Sequence, residues 1–169
     1  GGDAADQVAK AHTGEGKYTI GTTELSMSPS CWDIASYRPW MEKQRITAEP
    51  SADGEAGLLE ALLDPDAACL KKWNESISKE LAKRPGDAHA HERAALLLGA
   101  FGLRENARQF SDLRPLLCRM TAFLVMAEKL RDASPPSRDG EVALALHDLL
   151  AGRPRESVGR CEKWQSPDA

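Results

Sequence analysis

The run Asp112–Asp132, DLRPLLCRMTAFLVMAEKLRD, decides the fold class. Leu113, Leu116, Leu117, Met120, Phe123, Leu124, Ala127 and Leu130 recur at steps of three and four, the period of one helix face. Ala122, Val125 and Met126 widen that stripe, so that Arg114, Arg119, Thr121, Glu128 and Lys129 are left to interrupt it. A helix apolar on so many sides has to be covered on several of them, which makes it the central element. Asp112 is read as its N-cap, with Pro115 in the first turn, where no N–H is missed, and Lys129 and Arg131 at the negative end of the helix dipole. Arg119 lies within the run, and the apolar part falls short of the roughly 20 residues of a membrane span.

Helical patterning extends outward on both sides. Leu58, Leu59, Leu62 and Leu63 mark a short amphipathic helix, and Asp64-Pro65 reads as N-cap and first position of the next. There Leu70, Trp73, Ile77 and Leu81 share a face, Lys71, Lys72, Glu75 and Lys79 lie off it, and Arg84-Pro85-Gly86 stops the run. Asp87 caps a third helix with Ala90, Ala94, Leu97, Leu98 and Phe101 on one side. A row of small residues, Ala88, Ala95 and Gly99, lets a neighbour approach closely, and Gly102 is read as the end. Beyond the central helix, residues 133–140 have loop composition. Val142, Ala145, Leu146, Leu149 and Leu150 then form an inner face as far as Gly152, and Arg153-Pro154 opens a last helix turning Val158, Cys161 and Trp164 inward. The expectation is an all-α, irregular bundle of about six helices.

One domain, 1–169, is expected, with a helical core at 55–166 and an N-terminal wrapping segment at 1–54. Within that segment, residues 1–16 are expected to fray or to form a brief helix around 4–11, and Lys17–Met27 suits a β-hairpin turning at Gly21-Thr22. Ser30 with Asp33 reads as a capping box for a helix at 31–37 that stops before Pro39; 40–46 reads as another helix and Thr47–Gly54 as a linker. Tyr18, Trp32, Tyr37 and Trp40 are expected to anchor the segment on the core.

The net charge of −4 and pI near 5.6 give no broad basic surface, so no nucleic-acid partner is expected. Cys31, Cys69, Cys118 and Cys161 form no C-x-x-C pair, which argues against zinc ribbons and redox motifs and favours disulfides. Cys118 with Cys161 and Cys31 with Cys69 are the expected bridges, implying a secreted protein in the periplasm or outside the cell; the alternative is a cytoplasmic protein with free thiols. The Gly-Gly start, with no signal-like segment, is compatible with a removed leader or tag.

Ala95, Gly102 and Ala107 are echoed fifty residues later by Ala145, Gly152 and Ser157. A small residue seven positions before a turn glycine and another five after it, with Pro85-Gly86-Asp87 ahead of the first set, resembles tetratricopeptide-type helical hairpins over about half of the chain. The fifty-residue offset departs from that family's period of roughly 34, and His91, Glu141 and Asp148 stand where its large apolar residues pack. The resemblance implies a protein-interaction role.

His89, His91 and Glu92 are the nearest thing to a catalytic or metal cluster. Residues two apart on a helix point about 200° from each other, so this H-x-H needs His12 or His147 delivered by the fold to hold an ion. No P-loop, G-x-S-x-G, H-E-x-x-H or G-x-G-x-x-G occurs, and no cofactor or resident metal is called for. The expected function is a non-catalytic helical interaction or scaffold domain of an exported bacterial-type protein, with another protein or peptide as partner. The alternative is a small metal-dependent hydrolase using His91 and Glu92, with His89, His12 or His147 as ligands.

Overall fold

The structure, a computed structural model, describes residues 18–20, 23–25, 33–42, 45–52, 54–109 and 113–165. Two short strands, β1 (Tyr18–Ile20) and β2 (Thr23–Leu25), pair antiparallel. Their register sets Tyr18 opposite Leu25 and Ile20 opposite Thr23, leaving residues 21 and 22 between them, as the hairpin reading requires. Then come α1 (Ile34–Met41), α2 (Leu58–Ala61), α3 (Ala67–Lys83), α4 (Ala88–Gln109), α5 (Arg114–Arg131), α6 (Arg138–Leu150) and α7 (Pro154–Gln165). The all-α bundle expected from periodicity is the observed architecture, with seven helices among the described residues.

Helix α5 earns its apolar surface by serving two cores at once. Leu116, Leu117, Met120, Phe123 and Leu124 enter a cluster with Trp73, Ile77 and Leu81 of α3 and Ala94, Leu97 and Leu98 of α4. On its other side Cys118, Ala122, Val125, Met126 and Leu130 pack with Tyr37 and Met41 of α1. The helix begins one residue later than read: Leu113 is its N-cap, without a side-chain cap, Pro115 lies in the first turn, and Asp112 is outside the described residues.

The face read on α3 is the one buried, Leu70, Trp73, Ile77 and Leu81, but the helix is capped by Asp66 rather than Asp64, Asp66 Oδ1 accepting from Cys69 N at 2.7 Å. Asp87 caps α4 by accepting from His89 N at 3.0 Å. Gly102 does not end α4, which continues through it to Gln109. A Cβ at Gly102 would stand 3.0 Å from both Leu116 and Leu150, and one at Gly99 would stand 2.9 Å from Leu146. The glycines therefore mark the line along which α5 and α6 press into α4, a packing role that sequence reading mistook for a helix end. Gly102 therefore supplies no turn of the kind read there. Gly152 turns with φ of 82°, and Ser157 Oγ of α7 donates to the Ala145 carbonyl of α6 at 2.8 Å.

Among the described residues of the N-terminal segment one helix, α1, stands where two were expected at 31–37 and 40–46. Asp33, not Ser30, sits at its start, accepting from Ala35 N at 3.2 Å and Ser36 Oγ at 2.9 Å, and the helix runs through Pro39 to Met41. Arg38 grips Glu128 of α5 with two bonds of 2.8 and 2.9 Å, and Lys129 donates to the Met41 carbonyl, holding the proline-interrupted helix in place. Tyr37 anchors as expected; the side chains of Tyr18, Trp32 and Trp40, and residues 4–11, lie outside the described residues. The expected linker is instead pinned: Glu49 N donates to the Gly86 carbonyl at 2.9 Å, Gly86 N to Glu49 Oε2 at 2.7 Å, and Ala52 N to Asp87 Oδ2 at 3.1 Å.

Two further expectations are corrected. Cys69 and Cys161 are both free, so neither Cys118–Cys161 nor Cys31–Cys69 is formed; Cys118 is buried on the α1 side of α5, and Cys31 lies outside the described residues. Equal spacing along the chain says nothing of which sulfurs meet in space, and bridging needs Cα atoms within about 7 Å. On α6 and α7, Leu149 and Val158 face solvent while Ala143, His147 and Ser157 are buried.

Candidate functional site

The residues singled out for chemistry cluster at the start of α4, and the helix sends each to a different place. His91 is buried beside Phe123, ring centroids 5.9 Å apart, and its Nε2 lies 2.7 Å from the Pro85 carbonyl. A carbonyl only accepts, so Nε2 carries the proton and donates. Burial lowers the pKa of this imidazole and keeps it neutral. Glu92, one position on, crosses to α6. It accepts from Ser137 Oγ at 3.0 Å and Ser137 N at 3.3 Å, with Arg131 Nη1 3.6 Å away. Burial raises its pKa, against the pull of Ser137 and Arg131. A Cβ at Gly140 would fall 1.8 Å from Glu92 Oε2, so glycine is what lets the carboxylate lie against the first turn of α6, a favourable place for negative charge.

His89 lies on a third side, its Nε2 2.8 Å from Asp139 Oδ2. The hydrogen bond to Asp139 raises the imidazole's pKa. Burial pushes Asp139 up, but His89 and Arg93 together bring it below its ordinary value. Arg93, 4% exposed, ties this pair to the rest of the bundle. It donates to Glu80 at 3.1 and 3.2 Å and to the Glu55 carbonyl at 2.9 Å, stands 3.6 Å from Asp139, and packs 5.8 Å over the Trp73 ring. The His89–Asp139 pair opens onto a cleft of about 430 Å³ beneath residues 54–60, lined by Gly, Ala, Leu and Glu with Arg93, and without a hydroxyl or thiol among the described residues.

His147 is buried on α6, its Nε2 2.8 Å from Thr121 Oγ1, with Arg153 donating to its Nδ1 at 3.4 Å. Asp148 beside it binds Arg153 and Arg160, fastening α7 to α6. His12 lies outside the described residues. The fold thus separates His89, His91 and His147, and turns His91 and Glu92 away from each other. No group of three or more His, Cys, Asp or Glu able to hold a metal occurs among the described residues.

A concavity larger than the His89–Asp139 cleft lies elsewhere, among residues for which the sequence suggests no site. A groove of about 610 Å³ runs between the α2 turn, α4 and α6. Leu59, Leu62 and Leu63 form one wall, Leu96, Ala100 and Leu103 the floor, and Val142 and Leu146 the far side. Leu63 is 86% exposed and Leu103 37%, so the groove carries bare aliphatic surface out to its rim. Its two charged residues, Asp64 and Arg104, have no hydrogen-bond or ion-pair partner among the described residues. The signal present in the sequence is the i, i+4 leucine pattern of residues 58–63, whose last member is surplus to the core: Leu58 is buried and Leu63 is not.

No helix among the described residues is long and apolar enough to cross a membrane. No protein-family model matches the chain, and neither a curated protein nor a solved structure does.

Proposed function

We propose that the chain is a non-catalytic helical interaction domain whose groove between α2, α4 and α6 receives an apolar segment of a polypeptide. The observation that carries this reading is the exposure of Leu63 and Leu103 on a concave aliphatic surface. Bare contiguous aliphatic area of this kind marks docking surfaces, and a groove between helices suits side chains presented at helical spacing. The separate engagement of His89 with Asp139, of His91 with the Pro85 carbonyl and of Glu92 with Ser137 supports the same reading, since it occupies the groups a hydrolase would use.

Titration of isotope-labelled protein with a synthetic leucine-rich amphipathic peptide tests it by nuclear magnetic resonance. Shifts should concentrate at Leu59, Leu63, Leu103 and Leu146 and disappear in Leu103→Glu. Shifts scattered over the surface, or unchanged by the substitution, would count against the groove as a docking site.

A further inference from the structure

Asp64 and Arg104 flank one apolar groove, and neither charge meets an opposite charge within the described chain. Any occupant that covers the groove takes water from both, and a charge stripped of water without a partner is strongly destabilising. An occupant that brings a cation to Asp64 and an anion to Arg104 is therefore the one that binds without this cost. It must also fill the groove with aliphatic side chains and leave room for Leu63, which projects from the rim at 86% exposure. This same patch offers each of those things: a projecting leucine, an aliphatic hollow, one anion and one cation.

Resting on the groove as a docking surface, we infer that its occupant is a second copy of this chain. The two copies are related by a twofold axis, Leu63 of each entering the groove of the other and Asp64 of each facing Arg104 of the other. A twofold interface uses one patch against itself, so whatever residue i meets in the partner also meets i, and a patch carrying both knob and hollow with both signs of charge satisfies that condition. The chain's own outlying segment is a poorer fit. Residues 1–17 carry Val8 as their one large aliphatic side chain, too little to fill a hollow walled by six leucines and a valine.

Sedimentation equilibrium of the full chain over a range of concentrations tests the inference. Wild type should self-associate into dimers. Leu63→Glu, at a position too exposed to disturb the core, should weaken the dimer at least about tenfold, through loss of apolar contact and burial of an unpaired charge. Asp64→Arg and Arg104→Asp should each weaken it by placing like charges face to face, and the double reversal D64R/R104D should restore association to within about threefold of wild type. Circular dichroism checks that every variant is folded. A wild type monomeric at all concentrations, a dimer indifferent to Leu63→Glu, or a double reversal no better than the single ones would overturn the inference. The peptide titration separates the two claims: a monomer whose groove still binds the peptide keeps the docking surface and removes only the second copy as occupant.

Discussion

If Glu92 is a tie between helices and not a catalytic group, its removal should damage the fold. Glu92→Ala deletes a carboxylate that accepts twice from Ser137 and faces Arg131 at 3.6 Å. Breaking a buried ion pair typically destabilises by about 3–5 kcal/mol. The lower end applies here, because the Arg131 side chain is 15% exposed and can turn toward water, so about 3 kcal/mol is expected. In a urea titration followed by far-ultraviolet circular dichroism, that loss lowers the midpoint by roughly 1–2 M. Glu92→Gln keeps the shape and an acceptor for Ser137 and should lose only about 1 kcal/mol at neutral pH. The pH dependence adds a signature. Because the folded pKa lies above the unfolded 4.5, the wild type holds this group's contribution in full below pH 4.5 and loses it as pH rises through the folded value. Glu92→Gln should accordingly be more damaging at pH 4 than at pH 7. A midpoint for Glu92→Ala within about 0.5 kcal/mol of wild type would refute the structural assignment, since removing a catalytic carboxylate commonly leaves stability unchanged or improved.

Leu124→Ala removes a core contact of α5 and should destabilise by about 2–5 kcal/mol in the same titration; a loss below about 0.5 kcal/mol would place α5 outside the core. The His89–Asp139 pair should impose an alkaline fall in melting temperature: the histidine's contribution is complete below pH 6.5 and disappears as pH rises through its raised folded value, while the aspartate's is present above pH 3.8 and lost on acidification through its lowered one. Asp139→Asn should flatten the alkaline limb, and an unchanged limb would mean the pair contributes nothing. Cys69 and Cys161, free and partly exposed, should both be alkylated in native protein under non-reducing conditions, whereas a mapped Cys118–Cys161 peptide would contradict the geometry.

Periodicity located the helices because burial enforces it: Leu70, Trp73, Ile77 and Leu81 were legible on α3, and the girdle of α5 announced that it would be covered on more than one side. Features set by the meeting of distant segments were not. Gly102 reads as a helix end by local rules, yet it is where Leu116 and Leu150 converge. Pro39 reads as a stop, but α1 is held together past it by Glu128 and Lys129, nearly ninety positions away. Val158 and Leu149 look like an inner face because they are apolar; the buried positions fell instead to Ser157 and His147, whose polar atoms find partners on neighbouring helices. The groove escaped notice for the same reason. Leu63 continues the pattern of Leu59 and Leu62, and three-dimensional packing alone reveals that the core has no place for it.

The two cores on either side of α5 have unequal depth, and native-state hydrogen exchange should divide the molecule accordingly. The larger draws on α3, α4 and α6, whereas the smaller holds α1 through Tyr37, Met41 and the Arg38–Glu128 and Lys129 contacts. Helix α1 rests on the smaller cluster, so its amides should exchange through an opening of lower energy than global unfolding, and those of α3 and α5 only when the whole chain unfolds. Each such opening would uncover Ala122, Val125 and Met126 on a helix that is otherwise intact, baring apolar surface on a protein that has not lost its fold.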